Sequence, residues 1–551
     1  MRASAFHCVA AASSQHVRCV SAFLLLAAVF LLAGTGPAHA AEKPAAKRPN
    51  ILWISCEDIS PHLGCYGDEY ATTPHIDGLA GEGAVFTRCF SHAGVCAIAR
   101  SGLITGVYPV SIGSQHMRSR IVPPPHIRCF TEYLRAAGYW CTNRAKTDYN
   151  FEPPLTAWDE NSSNSRDWRG RAPGQPFFSV INLTVSHESR IRSKFDELQH
   201  DPAKVQLPPY IPDTPAARRD RARYYDIITL MDQQAGKILA DLKADGLADE
   251  TIVLFWGDHG EGLPRGKRWI YDSGIHVPLV VRWPGRIQPK TTRDDLVCFL
   301  DFAPTMLSLA GVPVPESMHG QVILGEHTAP PREYIFAHRD RMDETYDLIR
   351  AVRDQRYKYI RNFMPRRSYG QNIDYMNKMP TLQDMRRLHA VGELKGPEQL
   401  YFLPRKPVEE LYDLAADPFE IHNIAADPAH RETLSRLRTV LETWQVEIGD
   451  LGLVPEPLLM EAMRPDSKYE VTARPVAQVR EEAGAKAAQV TLTCPTEGAS
   501  IAWTTEPGKN PHWKLYHQPV TVPAGTALRA VACRIGFRDS QPVTVETAST
   551  P

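Results

Sequence analysis

The chain has 551 residues, 43% of them apolar and 23% charged, with a formal net charge of −1. This balance excludes a disordered or low-complexity chain, and it gives no bulk positive field to attract nucleic acid or an anionic membrane. The length suits one large domain with smaller companions.

Arg2 and Arg18 precede an apolar run, Phe23–Ala33, and Ala38-His39-Ala40 has the small-x-small form of a cleavage site. Residues 1–40 therefore read as a secretory signal peptide. The mature chain is expected to start at Ala41 and to be exported, to the periplasm or beyond the cell. The apolar run is short for a bilayer and no later segment is long enough, so no transmembrane segment is expected in the mature chain. Of eleven cysteines, two (Cys8 and Cys19) fall in this leader, and the others show no CxxC pair. Neither a disulfide scaffold nor a structural zinc site is indicated, and pairing of Cys494 with Cys533 stays open.

Over 41–330, strand-length apolar runs alternate with helical patterns, predicting an α/β domain with a mainly parallel sheet. The expected strands include Ile51–Ser55, Phe177–Leu183, Thr251–Trp256 and Val277–Val281, and the expected helices Phe130–Ala137 and Tyr224–Ala244. Residues 331–450, with strand-like Leu348–Val352 and Tyr357–Arg361 and helical Arg431–Gln445, predict a smaller α+β subdomain. Residues 451–487 read as a linker. Short strands between Gly/Pro turns over 488–551 predict an appended β-sandwich.

Ligands of open α/β sheets gather beyond the carboxyl ends of strands. There the sequence places Glu57 and Asp58, then Asp258 and His259, then His187, and finally Lys146 and Asp148. Singly, each has an ordinary explanation as a helix cap or turn. Together, three carboxylates and an imidazole make a site for a hard divalent cation, Ca²⁺ or Mg²⁺. Arg100, Lys146 and Lys267 add positive charge suited to a tetrahedral oxyanion. The reaction class that follows is hydrolysis of a phosphate or sulfate ester.

Several strings, in order, resemble the sulfatases, a formylglycine-dependent branch of the alkaline-phosphatase-like fold. They are Arg48–Leu52 with Glu57-Asp58, Thr73–Ala80, Cys96–Gly106 (CAIARSGLITG), Leu134–Tyr139, Gly257–Gly260 (GDHG), Val277–Gly285, Asp301–Gly311 and Glu410–Asn423. The look is nearest to bacterial N-sulfoglucosamine (heparan) sulfohydrolase-like members. The resemblance implies that Glu57, Asp58, Asp258 and His259 hold Ca²⁺. It also implies that a formylglycine-generating enzyme oxidises Cys96 to formylglycine during export. The hydrated aldehyde would attack sulfur through one hydroxyl and expel sulfate through the other. Arg100 would steady it, while Lys146, His187 and Lys267 would bind sulfate oxygens and protonate the leaving group. This sequence has Ile98 and Ala99 where the signature carries Pro and Ser, Glu57 where Asp is usual, and Asp148 where a His follows the Lys.

The charged stretch from His338 to Glu344, with Asp148, supplies candidate substrate-binding residues Asp148, His338, Arg339 and Arg341. The expected substrate is a sulfated polysaccharide or glycosaminoglycan fragment. The alternatives are a phosphodiesterase or phosphonate hydrolase of the same superfamily, or a catalytically silent glycan-binding relative.

Overall fold

Where the sequence runs apolar without a break, it forms strands buried on both faces. In Asn50–Cys56 every residue is buried. Ile51 and Trp53 enter one core, while Leu52, Ile54 and Cys56 enter the other. The computed structural model describes residues 48–144, 146–193, 197–481 and 486–547. The expected leader, residues 1–40, lies outside them. These described residues pack as one unit.

This strand is central in an eight-stranded sheet, ordered Thr291–Arg293, Ala84–Phe86, Leu279–Arg282, Thr251–Gly257, Asn50–Cys56, Phe177–Leu183, Trp140–Arg144, Glu160–Asn161. Only Leu279–Arg282 runs against its neighbours. The sheet is therefore mainly parallel, as the alternating pattern predicts. The registers align Cys56 with both Gly257 and Leu183, bringing three carboxyl ends to one place.

Helix Pro215–Ala244 covers one face, capped by the Thr214 hydroxyl, which accepts from the Ala217 N–H at 3.1 Å. It starts nine residues before the expected Tyr224, because its first turns are arginine-rich and show little apolar periodicity. On the other face Trp53 packs among Phe130, Phe178, Trp256 and Phe302, with ring centroids 4.9–5.7 Å apart.

A four-stranded antiparallel sheet follows: Ile335–Arg339, Ile349–Arg353, Tyr357–Asn362 and Glu409–Asp413. Helix Arg431–Glu447 lies against it, Trp444 stacking on Phe336 at 4.7 Å. The C-terminal strands form a three-stranded and a four-stranded sheet around Val490, Leu492, Ile501, Val522 and Leu528. The stretch expected as a linker holds helix Glu456–Met463 and strand Val476–Arg480, which pairs with Ala487–Thr493. The helix is too short, and too closely flanked by Pro455 and Pro465, to show a period. The strand is mostly exposed and so lacks an apolar signature. Cys494 and Cys533 are both free thiols.

Candidate active site

Cys96 opens helix Cys96–Thr105, preceded by Val95 in extended conformation, and is 4% exposed. Its Sγ lies 3.5 Å from His259 Nε2. Two sets of donor atoms meet there, Asp58, Cys96 and His259 in one and Glu57, Cys96 and Asp258 in the other, each within 4.8 Å. Strand ends carry all four non-cysteine members.

Asp58 sits at φ 53°, a left-handed conformation that non-glycine residues adopt only when their surroundings hold them. Its N–H donates to Asp258 Oδ1 at 3.1 Å, and its carbonyl accepts from the Gly262 N–H at 3.2 Å. Glu57 is fixed by Ser186, whose hydroxyl accepts from the Glu57 N–H and donates to its carbonyl.

Each carboxylate faces a cation. Lys267 Nζ lies 2.7 Å from Asp58 Oδ2, and Lys146 Nζ contacts Glu57 Oε1. Arg100 approaches Asp258 Oδ2 through Nε and an Nη, both at 3.2 Å. Burial works against ionisation of Asp58, yet Lys267, His187 and His259 hold its carboxyl well below the usual range. Asp258 is also lowered: burial opposes its charge, and His259, Arg100 and Lys146 outweigh that. Burial likewise opposes the Lys267 ammonium, but Asp58 and Glu188 keep its pKa raised. For the Cys96 thiol burial wins over Lys267, and the pKa rises well above the ordinary value. Burial thus disfavours the thiolate, the nucleophilic form of an unmodified Cys96.

The donor set fits a hard cation. The Gly260 carbonyl takes the hydrogen of His259 Nδ1 at 3.0 Å, so Nε2 is the nitrogen presented to the carboxylates. Asp58 Oδ1 is buried and lies 3.0 Å from that Nε2. An oxygen of this kind beside two more carboxylates suits Ca²⁺ or Mg²⁺.

The sequence model described as Sulfatase matches residues 49–151 and 140–312, and that described as N-sulphoglucosamine sulphohydrolase, C-terminal, matches 260–395. An ulvan-active sulfatase of Formosa agariphila is 38% identical over 92% of this chain and 93% of its own. The chain belongs to the sulfatase family. A human N-sulphoglucosamine sulphohydrolase is 26% identical over 76% of this chain and 94% of its own. A phosphonate monoester hydrolase from Silicibacter pomeroyi superposes with a TM-score of 0.56 at 19% identity, covering 74% of this chain and 97% of that one. At that identity the match speaks for the fold alone. This sulfatase is thus a sulfuric ester hydrolase on an alkaline-phosphatase-like α/β fold.

In this cluster nine sequence candidates come together: Glu57, Asp58, Cys96, Arg100, Lys146, His187, Asp258, His259 and Lys267. His187 Nε2 is 3.3 Å from Lys267 Nζ, and burial lowers its pKa. Asp148 lies 3.7 Å from Lys146 Nζ at the rim. Three substrate candidates do not join them, which corrects the substrate-binding reading of His338, Arg339 and Arg341. His338 is buried, stacked on His92 at 5.7 Å and 3.3 Å from Asp340. Arg339 is buried, its guanidinium 3.7 Å from the Trp269 ring centroid. Arg341 is held by both oxygens of Glu456 at 2.6 and 2.7 Å. His338 and Arg339 lie on the first strand of the second sheet, and Arg341 ties the loop after it to helix Glu456–Met463.

Two groups escape the sequence reading. Asn182 Oδ1 accepts from Arg100 Nη1 at 2.7 Å and from Ser55 Oγ at 2.6 Å, while its Nδ2 donates to Asn143 Oδ1. It orients Arg100 from the end of a mostly apolar strand, and an amide among buried apolar residues there is the signal available. Glu188 pairs with Lys267 at 3.1 Å and with both terminal nitrogens of Arg268. It follows His187 directly and could be found only through that neighbour.

Proposed function

We propose that the protein is exported and removes sulfate from a sulfated polysaccharide or glycosaminoglycan fragment. It does so through formylglycine at position 96 and a divalent cation, Ca²⁺ or Mg²⁺, at Glu57, Asp58, Asp258 and His259. The observation that carries this reading is the position of Cys96: it opens a helix between two buried carboxylate sets and is ringed by Arg100, Lys146 and Lys267.

Once formed, the hydrated aldehyde would supply one hydroxyl to attack sulfur and a second to expel sulfate. The cation would supply positive charge for the sulfate oxygens. The chain's own residues do the rest. Arg100, held by Asn182 and Asp258, presents a fixed donor fork next to residue 96. Lys146 and Lys267 now neutralise Glu57 and Asp58. A cation held by those carboxylates would supply that positive charge itself, and Lys146 and Lys267 would then be available to sulfate oxygens. His187 stands beside Lys267, where a proton can be handed to the leaving sugar oxygen. Because Cys96 is buried, the maturation enzyme must meet the chain before folding is complete.

The glycan substrate is supported by the two relatives, one named for ulvan and one for N-sulphoglucosamine. Export rests on the leader pattern of residues 1–40. Among the described residues no helix is long and apolar enough to cross a membrane. The test is product analysis with matched sulfate monoesters, phosphodiesters and phosphonate monoesters plus sulfated oligosaccharides. Preferential release of inorganic sulfate supports the reading. Preferential phosphonate or phosphodiester cleavage, or no turnover by aldehyde-bearing protein, overturns it.

A further inference from the structure

A cavity of about 480 Å³ lies where the catalytic unit, the segment after helix Glu456–Met463 and the C-terminal sandwich meet. Its size is that of a small-ligand site. Arg118 and Arg120 enter it from one loop, Asp148 from the rim of the sulfate site, Arg464 and Tyr469 from the segment before the sandwich, and Phe537 from a sandwich turn.

Four independent features point to a built site. First, Arg118, Arg120, Asp148 and Asn150 all hold left-handed backbone, with φ of 58°, 53°, 54° and 61°. Such strain persists only where the surroundings impose it. Asn150 imposes it here: its Oδ1 accepts from the Arg118 N–H at 2.7 Å, its Nδ2 donates to the Ser114 and His116 carbonyls, and its own carbonyl accepts from the Ile121 N–H. Second, the Arg118 and Arg120 side chains are exposed and have no carboxylate partner among the described residues. The facing acids are Asp148, which Lys146 already engages at 3.7 Å, and Glu152.

Third, the sandwich is seated rather than tethered. Gly536 has φ 85°, and a Cβ there would lie 2.5 Å from the Ile121 carbonyl oxygen. Gly498 has φ 74°, and a Cβ there would collide with the Pro125 carbonyl. Arg464 Nη2 donates to the Gly536 and Arg120 carbonyls at 2.9 and 3.3 Å. Arg135 donates to the Trp513 carbonyl at 2.7 Å, and His512 lies 3.1 Å from Asp159. Fourth, Tyr469 and Phe537 keep partly exposed rings on the wall, Arg464 lying 3.7 Å from the Tyr469 ring centroid.

We propose that this cavity binds the anionic sugar unit adjoining the one that loses its sulfate, with the C-terminal sandwich as one wall. The inference rests on the sulfated-glycan reading above and deepens it. Arg118 and Arg120 would take a carboxylate or sulfate of the neighbouring unit, an interaction suited to planar guanidinium forks. Tyr469 and Phe537 would lie along the sugar's apolar face. The sandwich thereby makes the enzyme a reader of chains and not of single sulfated sugars.

The experiment compares kcat/KM for p-nitrophenyl sulfate, which reaches only the sulfate site, with a disaccharide-to-hexasaccharide series cut from ulvan and from heparin. Arg118→Ala/Arg120→Ala should lower kcat/KM on the preferred hexasaccharide by about ten-fold or more relative to its effect on p-nitrophenyl sulfate, the loss expected for one charged contact. It should also flatten the dependence on chain length. Phe537→Ala, on the opposite wall, should act in the same direction, and thermal melting confirms that both variants are folded. Calorimetric binding of the hexasaccharides to the parent and double variant reads the cavity without turnover. Weaker binding by the variant supports the proposal even if hydrolysis, and with it the sulfatase reading, fails. Equal binding by parent and variant, absence of binding, or equal losses on small and long substrates overturns it.

Discussion

Replacing Asp258 by Asn removes a buried negative charge without changing shape. Two consequences can be worked from the geometry. Arg100, 2% exposed, loses the carboxylate that meets its Nε and Nη2 at 3.2 Å and keeps only Asn182. Breaking a buried pair in this way costs about 3–5 kcal/mol. Unfolding entropy for a chain of this length is about 1 kcal/mol per degree, so the melting temperature should fall by ~3–5 °C. The proposed cation site also loses a ligand. At a calcium concentration of about 100 times Kd the parent gains ~2.7 kcal/mol, or ~3 °C, and the variant should gain almost nothing. The assay is thermal melting of chelated protein, with and without added Ca²⁺ or Mg²⁺, in parent and variant. An equal metal-induced rise in Asp258→Asn would refute the ligand assignment. An unchanged melting temperature without metal would refute the buried pairing of Arg100.

Three further outcomes are expected. His187→Ala should lower kcat by ~10²–10⁴-fold on a sugar sulfate but far less on p-nitrophenyl sulfate, whose leaving group needs no proton; equal losses would remove His187 as the acid. Trp53→Ala, at the centre of the aromatic cluster, should cost about 3–5 kcal/mol in denaturant unfolding, and a loss below 1 kcal/mol would contradict that packing. Ile98 lies in the first helical turn, where its N–H has no intrahelical partner, so proline there is compatible with the helix. Ile98→Pro/Ala99→Ser should melt close to the parent and raise the aldehyde fraction on co-expression with a formylglycine-generating enzyme; a fall in that fraction would sink the idea that this pair limits conversion.

The parallel sheet and the strand-end acids were legible because apolar runs such as Ile51–Cys56 stop abruptly at Glu57-Asp58, and the same signal marks Asp258-His259. The roles of Lys146, Lys267 and Arg100 were legible as charges but not as pairs, since their partners lie 89–209 residues away. The same blindness misplaced His338, Arg339 and Arg341. Density of charge along the chain suggested a substrate contact, whereas Glu456 and Trp269, distant in sequence, engage two of the three. Asn182 went unseen because one amide in an apolar strand has no period. The strained loop at Arg118 and Arg120 left no trace in composition, since left-handed backbone at arginine is imposed by tertiary hydrogen bonds to Asn150.

The central claim is that Cys96 is the seat of sulfate ester chemistry as an aldehyde and not as a thiol. The most direct test is mass spectrometry of the tryptic peptide Cys89–Arg100 from active protein. The account predicts a peptide that has lost H₂S and gained one oxygen at residue 96, in proportion to sulfate-releasing activity. Full activity with Cys96 intact as a thiol would contradict it.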